Sequence, residues 1–300
     1  MQHYIGESAA LLTALFWTIT ALSFEAAGNK VGSLAVNLWR LVIAFILFCL
    51  YSLLVTGTVL PLDAPRSVWV WLSASGLVGF VLGDLFLFES FVLIGARIAM
   101  LVYSLAPPLT ALIGFFLLGE VLTPLQWGGM ALTVAGICLV VLQRNQPTRR
   151  GRNHPFLGIG AAFLGALGQA VGLVLSRYGA PTFDAFRATQ IRALAGIVGF
   201  ALFFTILRRW RPVMHALRHP VAMRQISVGA FFGPFLGVSI GLFAAQNTET
   251  GVAATIIALV PVLMIPAAIF VLKERVNLRE AAGALFAVAG VALLFVAPAV

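Results

Sequence analysis

The sequence predicts an all-α integral membrane protein: ten transmembrane helices laid out as two inverted five-helix repeats around a central cavity. Three observations carry that prediction. Charged residues are 10% of the chain against 61% hydrophobic, well below the roughly 25% charged content of a water-exposed domain. The apolar residues fall into ten runs joined by short polar segments, which suits lipid, because a helix needs only ~20 apolar residues to cross. The chain also repeats itself. A shift of 154 residues places Pro107 on Pro261, Glu120 on Glu274, Gly129 on Gly283 and Gly136 on Gly290, and aligns Gly79 with Gly233 and Gly83 with Gly237 without a gap.

The first run, 7–28, carries Trp17 and follows an N-terminus without a basic flank, so it is expected to insert as an uncleaved helix. Run 33–55 carries Asn37 and Arg40, and run 68–94 carries Gly79, Gly83, Asp84 and Glu89. Run 97–118 holds Tyr103, Ser104 and Pro107, and run 124–143 holds the Gly129 and Gly136 pair. A basic connection follows, so the repeats are set at 1–145 and 156–300 with a loop at 146–155. The second half repeats the layout: 156–178 with Gln169, 185–207 with Gln190 and Arg192, 224–246 with Ser239 and Gln246, 250–272 with Pro261, and 278–298. A 152-residue shift aligns Arg40 with Arg192 and Trp17 with Gln169. Five helices is an odd number, so the second repeat enters the membrane from the opposite side. Such inverted repeats are the architecture of many secondary transporters, with a site near the midplane.

Gly229, Gly233, Gly237 and Gly241 recur every four residues, and their mates are Ser75, Gly79 and Gly83. This spacing puts small residues on one helix face, for close packing or for sliding during a conformational cycle. Pro107 and Pro261 lie inside apolar runs and predict symmetric kinks that shape a central pocket. Cys49 and Cys138 also fall inside runs and read as small buried apolar residues rather than a disulfide or metal site.

Ionisable residues within spans are costly and mark candidate sites: Arg40, Asp84, Glu89 and Arg192, with Glu25 near a helix end. At ~1.5 Å per residue, Asp84 lies ~15 Å and Glu89 ~8 Å below the membrane edge, bracketing the ~10 Å depth of Arg40. Either carboxylate is therefore a partner for Arg40 in an intramembrane ion pair, and both are candidates for proton coupling, Asp84 foremost. In the second half the mates of Asp84 and Glu89 are Val238 and Phe243, which leaves Arg192 without an equivalent acid. Arg192 either snorkels to headgroups, pairs with Asp184 or Glu249, or offers its charge to an anionic substrate group. Trp17, Asn37, Tyr103, Gln169, Ser239 and Gln246 complete the candidate lining of a cavity for a small amphipathic solute.

Other function classes lack their residues. The net charge of +9 resides mostly in loop arginines, the pattern of headgroup anchoring rather than nucleic-acid binding. The only lysines are Lys30 and Lys273, and no phosphate-binding G-x-x-x-x-G-K-[ST] loop exists, so ATP-driven transport and nucleotide cofactors are not expected. His215 and His219 stand at i, i+4, but without nearby acids or thiols they read as part of a basic interfacial helix, not a metal site. No Ser–His–Asp set is present, so an enzyme is not expected.

Leu105-Ala106-Pro107, Leu118-Gly119-Glu120 and Gly129 to Gly136, repeated as Leu259-Val260-Pro261, Leu272-Lys273-Glu274 and Gly283 to Gly290, resemble the EamA-type family of the drug/metabolite transporter superfamily across essentially the whole chain. Arg40 and Arg192 match the arginine early in the second helix of each repeat of that family. The resemblance implies a cavity lined by helices 1, 3, 4, 6, 8 and 9, with helices 5 and 10 peripheral. It also implies a multi-pass protein of a bacterial inner membrane, working as a monomer, that exports or exchanges a small metabolite such as an amino acid. A uniporter or importer, or a membrane enzyme or lipid-handling protein, are the alternatives. Loop charge opposes one family habit. Arg66, Arg177 and Arg187 share a side with the termini, whereas Lys30, Arg97, Arg144, Arg149, Arg150, Arg152 and the arginines of 208–224 lie opposite. The positive-inside rule then puts the termini outside the cytoplasm, where the family has them inside.

Overall fold

The computed structural model describes residues 5–118, 121–141, 155–247, 253, 256–271, 273 and 276–296, and all regular structure among them is helical. In order these helices are α1 (Ile5–Val31), α2 (Ser33–Thr56), α3 (Arg66–Ile94), α4 (Ala96–Tyr103 and Ala106–Leu118), α5 (Pro124–Val141), α6 (Pro155–Gly179) and α7 (Ala185–Ile206). Then come α8 (Pro220–Ala230, Phe231–Gly237 and Val238–Asn247), α9 (Val260–Phe270) and α10 (Leu278–Val296). Helices α1 to α8 are long and apolar enough to cross a membrane, and α9 is a shorter apolar helix. Inside hydrocarbon a helix satisfies its own backbone, which is why these runs take no other form. The outer surface is apolar, with Leu54, Phe116, Ile206 and Phe270 exposed, while small and aromatic residues such as Ala10, Ala14 and Phe200 fill the interior.

Two glycines turn the chain at adjacent corners. Gly32 and Gly95 join α1 to α2 and α3 to α4 at φ 85° and 83°, values that a side chain disfavours. Carboxylates serve both corners: Glu25 accepts from the Ala96 amide at 3.0 Å, and Glu89 accepts from Ser33 Oγ at 2.6 Å.

The repeat extends to irregular backbone. In α3 the stretch Leu77–Gly83 is π-helical, and in α8 so is Phe231–Gly237, the same seven positions displaced by 154. The predicted proline kinks are instead breaks. Helical structure lapses at Ser104–Leu105 and at Ala258–Leu259, so Pro107 and Pro261 each sit in the first turn of the following segment. There a missing amide has no helical partner to lose.

Helices from opposite repeats interlock. Gly79 and Gly83 of α3 face Gly172 and Gly168 of α6, and Ser75 Oγ donates to the Gly172 carbonyl at 2.5 Å. In the related contact, Gly229, Gly233, Gly237 and Gly241 of α8 receive Phe24, Thr20, Trp17 and Thr13 of α1. Helices α5 and α10 pack on each other through Gly129, Gly136, Gly283 and Gly290. Contrary to expectation, Cys138 lies on an exposed face of α5. The basic segment before α8 forms a short helix, Trp210–His215, and a single 3₁₀ turn. His219 lies beyond both and caps α8, its Nδ1 accepting from the Ala222 amide at 3.3 Å, so the two histidines share no continuous helix.

Candidate functional site: an ionic cavity between the repeats

Three locally determined features bring the central charges together. Arg40 stands two turns into α2, fixed by the Gly32 corner. Asp84 follows directly on the π-helical stretch of α3, whose wider turn sets the direction of its side chain. Arg192 is placed by a close crossing of α7 over α3: a Cβ on Gly76 would stand 2.8 Å from Arg192 Cα. Only glycine admits that approach.

The result is a cavity of about 540 Å³ lined by Trp17, Arg40, Phe80, Asp84, Tyr103, Gln169 and Arg192 among apolar residues. Arg40 Nη2 pairs with Asp84 Oδ2, both side chains buried. The Arg40 guanidinium also lies 4.7 Å from the Phe88 ring centroid and 5.7 Å from that of Phe80. Arg192 reaches the same Phe80 ring at 4.5 Å. Its Nε and Nη2 are buried and have no hydrogen-bond partner among the described residues. Two repeat-related arginines thus meet at one phenylalanine, with one carboxylate between them. The other mates follow the same rule: Trp17 and Gln169, Phe80 and Pro234, Asp84 and Val238 all line the cavity. At these mated positions the walls are symmetric in place and asymmetric in chemistry.

Residues 4–142 and residues 156–296 each match the EamA-like transporter family. The chain belongs to the EamA-like transporter family. It is a multi-pass membrane protein of a transporter family, with two inverted repeats, whose surroundings are a small-molecule substrate and the lipid bilayer. A solved crystal structure of another protein is 23% identical over 97% of this chain and 95% of its own, with a TM-score of 0.59, a likeness of fold alone. No curated protein sequence matches the chain.

Within this EamA-like fold, several sequence candidates stand apart from the cavity. Asn37 is fully buried behind the site, donating from Nδ2 to the Asp84 carbonyl oxygen at 3.2 Å, and is a support for α3 rather than a wall. Ser239 Oγ donates back to Phe235 O at 2.5 Å, within its own helix. Glu89 is held by Ser33 and lines a second cavity of about 480 Å³ beside Arg209, not the Arg40 pair. The side chain of Gln246 and residue Glu249 lie outside the described residues, and Asp184 caps α7 by accepting from the Arg187 amide at 2.9 Å. The family-implied lining also changes: α2 and α7 contribute Arg40, Phe48, Thr189 and Arg192, while no described lining residue comes from α9. The sequence reading missed Phe80, whose role depends on two arginines meeting it in space. Its only sequence signal was a place between Gly79 and Gly83.

Proposed function

We propose that this chain is a secondary transporter with ten membrane spans, α9 and α10 completing the set, that exports or exchanges a small amphipathic metabolite by alternating access. An amino acid or a similar compound is the favoured substrate, and a monomer suffices, because one chain supplies both repeats. The observation that carries this reading is the cavity itself: about 540 Å³ between two inverted repeats, apolar in its walls and ionic at its centre. Such a volume suits a solute of amino-acid size, and the buried charges offer it orientation. Asp84 is the coupling candidate, being a buried carboxylate that faces the cavity from within a span.

The test is uptake and counterflow in proteoliposomes with radiolabelled amino acids and related metabolites, with and without a pH gradient. Saturable flux that answers to the gradient and falls in Asp84→Asn is the expected result. Saturable flux indifferent to both would remove Asp84 from coupling and leave an exchanger or uniporter. No flux for any compound, from folded protein, would sink the transporter reading.

A further inference from the structure

We propose that Arg192 is an anion subsite, and that the molecule occupying the cavity carries one carboxylate, or a comparable singly charged group, on an apolar body. This rests on the transporter reading above and specifies its substrate class. Arg192 is only 9% exposed, yet its Nε and Nη2 meet no acceptor among the described residues. A buried guanidinium is costly unless a partner offsets its desolvation. Contact with the Phe80 ring supplies part of that stabilisation, and Asp84, whose carboxylate pairs with Arg40, acts on Arg192 without a hydrogen bond to its Nε or Nη2.

The repeat identifies what is missing. Arg40 and Arg192 are related positions, and Arg40 has its carboxylate in Asp84. The residue related to Asp84 is Val238, which lines the same cavity without a charge. The protein therefore brings two cations and one anion to the cavity, and the complementary group is a second anion delivered by the ligand. One unmatched positive charge suits a single negative charge better than a doubly charged phosphate. Space for it exists in the cavity of about 540 Å³ that Arg192 and Gln169 both line. The rest of the ligand meets Trp17, Phe24, Phe48, Phe80 and Leu173, a lining for an aliphatic or aromatic body.

The experiment uses three probes with one body and different charge: 3-phenylpropanoic acid, 3-phenylpropan-1-ol and 3-phenylpropylamine. Thermal unfolding of the purified, full-length protein is followed against probe concentration. The acid is expected to stabilise the protein at concentrations at least about tenfold below those needed for the alcohol or amine, the scale of one charge-assisted hydrogen bond. Arg192→Gln is expected to weaken the acid by about tenfold and leave the alcohol unchanged, with Arg192→Lys intermediate. Equal response to the three probes, no response to any, or an undiminished acid preference in Arg192→Gln would overturn the proposal. If Arg192→Gln does not fold, the wild-type series decides alone. Counterflow of labelled acid in proteoliposomes separates the two readings. Acid-selective binding without flux keeps the subsite and removes the transporter, whereas flux of other metabolites without acid selectivity does the reverse.

Discussion

Asp84 and Arg40 form a buried pair whose members are unequal in their alternatives. Removing one partner strands the other: Arg40 without Asp84 keeps only ring contacts with Phe88 and Phe80. Asp84→Asn and Arg40→Gln should each destabilise the protein by about 3–5 kcal/mol, the usual cost of orphaning a buried charge. The double variant should lose less than the sum, since it orphans neither member of this pair. Denaturation of the three variants in one detergent measures this, and strict additivity would mean that the pair is not coupled. Sequence spacing leaves Arg40 with two partners, because depth along a helix brackets it between Asp84 and Glu89. Two features decide for Asp84. Asp84, directly after the π-helical stretch, faces the cavity and Arg40, and Ser33 at the α1–α2 corner engages Glu89. Neither is visible in residue type. The repeat itself is legible, since proline, glutamate and glycine seldom recur together in apolar helices by chance. The environment of Arg192 is not, because it depends on how closely α7 approaches Gly76.

At the scale of the helix, glycines of similar appearance in sequence carry opposite expectations. Gly128 and Gly129 are neighbours on α5. A Cβ on Gly128 meets nothing within 4 Å, whereas one on Gly129 would stand 2.6 Å from the Gly290 carbonyl oxygen and 2.9 Å from Leu293 Cβ. Gly128→Ala should leave stability unchanged or raise it by up to about 1 kcal/mol, through helix propensity and a less flexible unfolded chain. Gly129→Ala must push α5 and α10 apart and should cost about 1–3 kcal/mol. Thermal unfolding of the two variants side by side checks the contrast, and equal melting temperatures would mean that α10 does not sit so close. The corner at Gly95 makes a different demand. With φ at 83° and ψ at 150°, a region that side chains essentially do not enter, Gly95→Ala should cost about 1–3 kcal/mol through backbone strain, although only Glu25 Oε1, at 3.6 Å, stands near the new methyl group. Glu25→Gln, which keeps an acceptor for the Ala96 amide, should be the milder change, and a reversal of that order would locate the corner's stability in charge rather than conformation.

At the scale of the molecule, the cavity is as asymmetric across the membrane as the loop charges are. Its lining runs from the Arg40 and Arg192 centre out to Arg177, Ala180, Pro181 and Phe183 at the α6–α7 turn, which lies on the side of the N-terminal end of α1. On the opposite side, ties between the repeats join the ends of helices: Lys30 Nζ donates to Gln225 Oε1 at 2.8 Å, Arg97 pairs with Glu280 at 2.8 Å, and Trp39 Nε1 donates to Val213 O at 3.0 Å. Ties between the repeats occur on the α6–α7 side as well, where Arg187 pairs with Asp63 and Gln190 Nε2 donates to Val59 O at 2.7 Å, so the reach of the cavity lining is what distinguishes the sides. The side of Lys30, Arg97 and Arg208 to Arg224 is the basic one, and the positive-inside rule assigns it to the cytoplasm. The expected state is therefore open away from the cytoplasm, with both ends of the chain outside. The prediction is tested on a Cys49→Ser, Cys138→Ser background carrying either Ala180→Cys, at the outer wall, or Asn29→Cys, beside the tied corner. A membrane-impermeant maleimide applied to intact cells should label Ala180→Cys and leave Asn29→Cys unlabelled until the membrane is opened. The reverse labelling would place the basic side outside, against the charge rule and in line with cytoplasmic termini. An alternating-access cycle adds a further expectation: a transported acid should change the labelling rate of Ala180→Cys severalfold, because a cavity that switches sides withdraws that wall from solvent part of the time. A rate that ignores every transported compound would mean a static cavity, and would leave the interlocked glycine faces of α3, α6 and α8 as packing alone.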